Sequence, residues 1–374
     1  MSKPRKDNWF CDFNAGAPAL PEVLAEFVAV EGRCPANPAS SHSAGRLARG
    51  VLEQAREQVA NLFGLTAQDV VFTSGGTEAA NLAVRGLGDT NLPVLLADVE
   101  HPAVREAALR RGNCKWQIDG TGAAIVAGPT EAIGLICLVH AQSELGTLQD
   151  TTQAMEIARN CHVPVLIDAA QSLGRAPLQA LIASGAIVSL SPHKAGGLRG
   201  HGVLLGRGLE SQLEPLMHGG GQEFGLRPGT QSPSLAAANA IAIELAVAQQ
   251  PQRAQAMAQN RKAFLEALEA HECPFRVLTP LANSVPNTAM LCFDDVEGRN
   301  LLPALDLAGV QASHGSACSS GAMTPPLVLT SMGLEESHAR ACVRFSFDWR
   351  KHVDDCAHVG ALVGDVIRRL RKKN

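Results

Sequence analysis

The chain lacks most of the features that announce a membrane, nucleic-acid or metal-binding protein. No stretch approaches the ~18 consecutive apolar residues of a membrane-spanning helix, and the basic start Met1 to Lys6 has no apolar segment behind it, so no signal peptide is expected. Charge of one sign is not concentrated: 18% of residues are charged and the formal net charge is −4. The only basic cluster, Arg368 to Lys373, reads as a helix C-terminus complementing its own dipole, so no nucleic-acid or membrane partner is expected. The ten cysteines are spread along the chain without a Cys-x-x-Cys, which points to a reduced, cytoplasmic protein. Metal-ligand spacing is missing too. His352, Cys356 and His358 lie close together only on a C-terminal helix expected to face solvent, so no metal site is expected. Internal repeats and low-complexity tracts are also absent.

What is present is alternation. Apolar runs at 70–72, 94–97, 133–139, 163–167, 187–190 and 203–205 are interleaved with helix-like stretches such as 102–111 and 151–160. That pattern predicts an α/β fold with a mostly parallel sheet flanked by helices. Before it, residues 43–63 carry apolar residues at helical spacing. From Ser232 the pattern changes to a long Ala-rich helical stretch broken near Gln249-Gln250-Pro251, then strands at 288–293, 310–314 and 342–347, and a final helix at 353–371. The expected organisation is a large domain over 15–250 and a smaller α+β domain over 251–374, with residues 1–14 packing nearby.

Several residues stand where strands of such a sheet would end. Lys194, in Ser191-Pro192-His193-Lys194, follows the run 186–190, and Asp168 closes the run 163–167. If the two runs are neighbouring parallel strands, an amine and a carboxylate share one crevice, where open α/β sheets bind ligands. A lysine facing a cofactor carbonyl, with an acid on the ring nitrogen, is what pyridoxal phosphate (PLP) requires. Gln171 could then reach the ring's phenolic oxygen. In Thr73-Ser74-Gly75-Gly76-Thr77-Glu78 two glycines and a threonine precede a helix, which suits a phosphate or simply a tight turn. Ser191 and His193 could add phosphate contacts. His101 emerges at the same edge, where an imidazole could stack on a flat cofactor or serve the core. Cys318 sits among small residues in an open loop that suits a nucleophile, or is a small buried hydrophobe. Arg344 in an apolar strand suits a carboxylate clamp or an internal ion pair. Lys194 itself could be a surface lysine in a Gly-rich loop, and Asp168 a helix cap.

In order along the chain, these segments resemble the cysteine desulfurases of the class V aminotransferase fold. The resemblance spans residues 13–371. It rests on Asn37-Pro38-Ala39-Ser40-Ser41-His42, the Thr73–Glu78 segment, Glu100-His101-Pro102, Glu144-Leu145-Gly146, Asp168-Ala169-Ala170-Gln171, Ser191–Lys194, Gly219-Gly220-Gly221-Gln222-Glu223, Arg227-Pro228-Gly229-Thr230, Gly315-Ser316-Ala317-Cys318-Ser319 and Arg344-Phe345-Ser346. The Cys318 loop resembles the iron–sulfur-assembly branch. The resemblance implies PLP-dependent transferase fold type I, a homodimer, PLP as cofactor, L-cysteine as substrate and a sulfur-acceptor protein, either a cluster scaffold or a thiolation protein. It implies Lys194 as the Schiff-base lysine, Asp168 at the ring nitrogen, Gln171 at the phenolic oxygen and His101 stacked on the ring. Gly76, Thr77, Ser191 and His193 would hold the phosphate with Thr230 of a partner subunit. Arg344 and Asn14 would bind substrate, Ser143 would lie near the cofactor, and Cys318 would take the sulfur.

The chain departs from the family pattern in places. Ser143 stands where an asparagine is usual, Phe13-Asn14-Ala15-Gly16 replaces Asp-Asn-Ala-Ala, Ala195-Gly196 replaces a bulkier pair, and Asp348-Trp349 replaces a Gly-Arg pair. The stretch between Trp116 and Ile133 is short. The competing readings are a class V aminotransferase or carbon–sulfur or selenocysteine lyase on another amino acid, and a non-catalytic scaffold that docks sulfur carriers.

Overall fold

The structure, a computed structural model, describes residues 8–315 and 324–372; Cys318 lies outside them. Among these residues the strands are β1 (Trp9–Phe10), β2 (Val70–Thr73), β3 (Val94–Ala97), β4 (Asn113–Trp116), β5 (Leu135–Val139), β6 (Val165–Asp168), β7 (Ile187–Leu190), β8 (Gly202–Leu205), β9 (Arg276–Val277), β10 (Thr288–Cys292), β11 (Val310–Gln311) and β12 (Cys342–Ser346). One sheet has the order β2-β8-β7-β6-β5-β3-β4. β3 to β7 run parallel, and β8 is antiparallel to both β7 and β2.

The strand sequences explain why this sheet lies in the middle. β5, Leu135-Ile136-Cys137-Leu138-Val139, is buried along its whole length, as a strand covered on both faces must be. Its side chains alternate between two cores. Ile136 and Leu138 pack with Leu52 of helix Ser43–Leu62, Ala154 of helix Thr151–Cys161 and Ile243 of helix Pro233–Ala248. Leu135 and Cys137 pack with Leu82 of helix Gly76–Gly86 and Val104 of helix Pro102–Arg111.

A second sheet, β12-β10-β9, is antiparallel. Leu291 and Phe345 from it share a core with Phe264 and Leu268 of helix Gln250–Glu269 and with Val363 and Ile367 of helix Val353–Arg371. The Ala-rich stretch breaks at Gln249, where Pro251 occupies the first turn of the next helix and its missing N–H costs nothing. β1 runs parallel to β11, and Asp12 bridges to Ser346. The N-terminal segment therefore crosses the small sheet on its way to the larger one.

Some expectations change. The strand expected at 310–314 stops at Gln311, and Ser313 instead bridges back to Arg344. Cys356 is buried while His352 and His358 are exposed, so the helix expected to face solvent instead buries one side in the core of the small sheet. β4 is an edge strand whose Asn-Cys-Lys-Trp sequence carries no alternation to betray it.

Candidate active site

The register of β6 and β7 opposes Asp168 to Ser189, and the chain after β7 turns at once through Pro192–Lys194. Both strand ends thus open into one cavity of about 750 Å³. Lys194, Asp168, Gln171, His101, Gly76, Thr77, Ser191, His193, Ser143, Asn14 and Arg344 all line it. Of the residues expected at the site, Thr230 is exposed and does not line this cavity, and Cys318 falls outside the described residues.

Burial pushes the Lys194 ammonium down to about 8; Arg175 and Arg344 add to the fall, against the pull of Asp168 and Glu144. Asp168 Oδ1 accepts the Ala170 N–H at 2.9 Å, which orients the carboxylate at the strand end. Gln171 is held at both ends. Its Nε2 donates to Asn14 O at 2.9 Å, and its Oε1 accepts from Arg175. Arg175 also donates to Phe13 O at 3.0 Å and Lys194 O at 3.3 Å, so one buried guanidinium ties three site segments together.

At the other end of the cavity, helix Gly76–Gly86 begins. A side chain at Gly76 would meet Ser191 Oγ, so glycine lets the helix N-terminus sit against that hydroxyl without displacing it. Glu78 in the first turn accepts the Ser74 N–H at 2.8 Å and Arg227 Nε at 2.7 Å, which pins the turn to the segment before Thr230. His101 caps helix Pro102–Arg111, its Nδ1 accepting the Ala103 N–H at 3.1 Å. The neutral ring therefore carries its proton on Nε2. Burial lowers its pKa, and burial with the Lys194 and Arg199 charges pushes His193 down to about 4.

The wall formed by the smaller sheet centres on Arg344. Nη2 donates to Asp12 Oδ1 at 2.6 Å and Nη1 to Ser143 O at 2.9 Å. Nε is buried with no partner among the described residues. Asn14 donates from Nδ2 to Ser143 O at 3.1 Å and to Thr288 Oγ1 at 2.9 Å. Ser143 Oγ donates to Glu144 at 2.7 Å.

Sequence reasoning gave no role to Glu100, Asp12, Arg175 or Glu144, although all but Arg175 line the cavity. Glu100 and Glu144 sit inside recognisable segments, and Arg175 lies four residues beyond Gln171. Asp12 had no local signal, because its partner is 332 residues away.

Residues 9–359 match the model of the aminotransferase class-V family. The IscS-like cysteine desulfurase of Mycobacterium tuberculosis is 31% identical over 391 residues, covering 97% of each chain. Among solved structures, one titled a NifS-like protein superposes with a TM-score of 0.87 at 26% identity, covering 97% of this chain and all of that one. Another, SspA in complex with cysteine, has a TM-score of 0.78 at 27% identity over 92% of this chain and 100% of its own. The cofactor of this family is PLP. The site fits it, with a near-neutral lysine, a carboxylate one strand away and a helix N-terminus kept open by Gly76. The chain belongs to the class-V aminotransferase family and, within it, to the cysteine desulfurases.

Proposed function

We propose that the protein is a PLP-dependent cysteine desulfurase that moves the sulfur of L-cysteine onto Cys318 and then to an acceptor protein. The observation that carries this reading is the Lys194 amine, buried beside Asp168 and opposite the Arg344 guanidinium in one cavity. PLP, when bound, supplies the electron sink for charge developing at the substrate Cα.

In this reading Gly76, Thr77, Ser191 and His193 hold the cofactor phosphate, and Thr230 of a second subunit completes that site in a homodimer. Asp168 meets the ring nitrogen, Gln171 the phenolic oxygen, and His101 the ring face. Arg344 offers its guanidinium, held by Ser143 O and Asp12, to the substrate carboxylate, and Asn14 shares the Ser143 carbonyl with it. Lys194 takes and returns the proton at the substrate Cα, for which an amine titrating at about 8 is well matched. His101 exchanges the substrate thiol proton through Nε2, because Nδ1 is occupied by the Ala103 N–H.

Cys318 acts as a thiolate on the substrate sulfur. A bond forms between its Sγ and that sulfur, the substrate Cβ–S bond breaks, and its electron pair stays on carbon and is protonated. One L-cysteine and the Cys318 thiol become one L-alanine and a Cys318 persulfide, with no outside oxidant. The described cysteines are all free, which suits a cytoplasmic enzyme. The acceptor is a cluster scaffold or a thiolation protein, serving iron–sulfur cluster or thio-cofactor and tRNA biosynthesis.

The Cys318→Ala variant tests the role of the thiol. Given L-cysteine and no added thiol, it should form neither sulfide nor a protein persulfide. Normal sulfide and alanine production by that variant would remove Cys318 from the mechanism.

A further inference from the structure

One buried acid in the cavity wall has no part in the reaction above. Glu100 follows β3 and is 3% exposed. Its Oε1 accepts the Val139 N–H at 2.7 Å, at the end of β5, and Val139 is the register partner of Asp168 in β6. Its Oε2 is enclosed and has no hydrogen-bond partner among the described residues. Among the described residues no cation acts on it. Cys137, two residues before Val139, is a buried thiol whose own pKa is raised well above the usual range. His101, the next residue, commits Nδ1 to a backbone N–H and is held neutral by burial.

An ionised Glu100 would be an unpaired buried charge within the field of the Asp168 carboxylate, and keeping the proton costs far less. Burial raises its pKa to about 8 in spite of the Val139 hydrogen bond, and the Asp168 charge adds to the rise.

We propose that Glu100 is a positioning residue that stays a neutral acid, its unshared O–H turned to the Asp168 carboxylate. The pair then carries one negative charge, which matches one cationic ring nitrogen. This rests on the reading in which Asp168 meets the PLP nitrogen. Glutamine reproduces the neutral acid, since its carbonyl oxygen can accept from Val139 while its amide N–H donates toward Asp168. Alanine leaves the Val139 N–H unmet and Asp168 without that donor.

Two measurements test the idea. Infrared difference spectra of the cofactor-free protein, wild type against Glu100→Gln, should show a protonated-carboxyl C=O band at pH 7. The band should fade as pH rises through about 8 and be missing from the variant. Titration with PLP, followed by absorbance, should give Glu100→Gln the affinity and absorption maximum of wild type. Glu100→Ala should bind about tenfold more weakly. An absent infrared band, or a Gln variant as impaired as the Ala variant, overturns the proposal while leaving PLP binding by wild type intact. Failure of the wild type to take up PLP overturns the cofactor reading itself, and the Asp168 partnership with it.

Discussion

The two walls of the cavity are built by different means. On one side Thr77, Asp168, Ser191 and Lys194 each stand within a few residues of a strand end, and the sheet's own register brings them together. On the other side Asn14, Ser143 and Arg344 come from three distant segments joined by side-chain hydrogen bonds that span 129 to 201 residues of chain. The first wall is a property of strands and turns. The second exists only once the small sheet has docked and the N-terminal segment has crossed it. Gly315 extends the second wall: its φ is 97°, and a side chain there would run into Glu144.

Substitutions on each wall should fail in different ways. The largest effect is expected for Lys194→Ala, which should lower alanine formation by roughly 10²–10⁴-fold and abolish the absorbance of lysine-linked cofactor. An unimpaired rate would break the account of the first wall. Next comes Arg344→Lys. Its KM for L-cysteine should rise by about 10–100-fold, the loss of charge-assisted hydrogen bonds, with a smaller fall in kcat. A fall in kcat at unchanged KM would mean that Arg344 serves only its ion pair with Asp12.

The pH profile should show an effect of about tenfold. Lys194 is brought down from 10.5 to about 8, so its neutral form grows as pH rises through 8. Capture of PLP by the cofactor-free protein needs that neutral amine, so its rate, followed by the absorbance of the lysine-linked cofactor, should climb by about an order of magnitude between pH 7 and 9. That limb should persist in Arg344→Lys, because lysine keeps the positive charge that helps to lower the Lys194 pKa. The smallest effect is expected for Arg175→Lys, which loses one of the bonds to Gln171, Phe13 and Lys194. PLP affinity should drop about fivefold with KM for L-cysteine unchanged, as measured by cofactor titration and steady-state kinetics.

The same contrast explains what the sequence made legible. The parallel sheet and the first wall could be read because apolar runs end directly in Asp168 and Lys194, and Gly75-Gly76 marks a strand-to-helix turn. Helix Pro102–Arg111 and the break near Pro251 could be read from periodicity and proline for the same local reason. The Arg344–Asp12 pair could not, since nothing near either residue encodes the other; both uses of Arg344 stayed open until the fold brought them to 2.6 Å. β4 and the two-residue strands β1 and β9 were hidden because such short segments carry no period to detect. Glu100 was visible as a residue but not as a buried acid, because its enclosure comes from β5 and β6, packed beside it.

The central claim is that the sulfur leaves L-cysteine onto Cys318 at a site organised by Lys194 and Asp168. A single turnover of the PLP-loaded protein with L-cysteine, analysed by mass spectrometry of the Cys318 peptide and by amino-acid analysis, tests it most directly. The account predicts one added sulfur atom on Cys318 for each alanine formed. Alanine released with an unmodified Cys318 peptide, or consumption of L-cysteine without alanine, would contradict it.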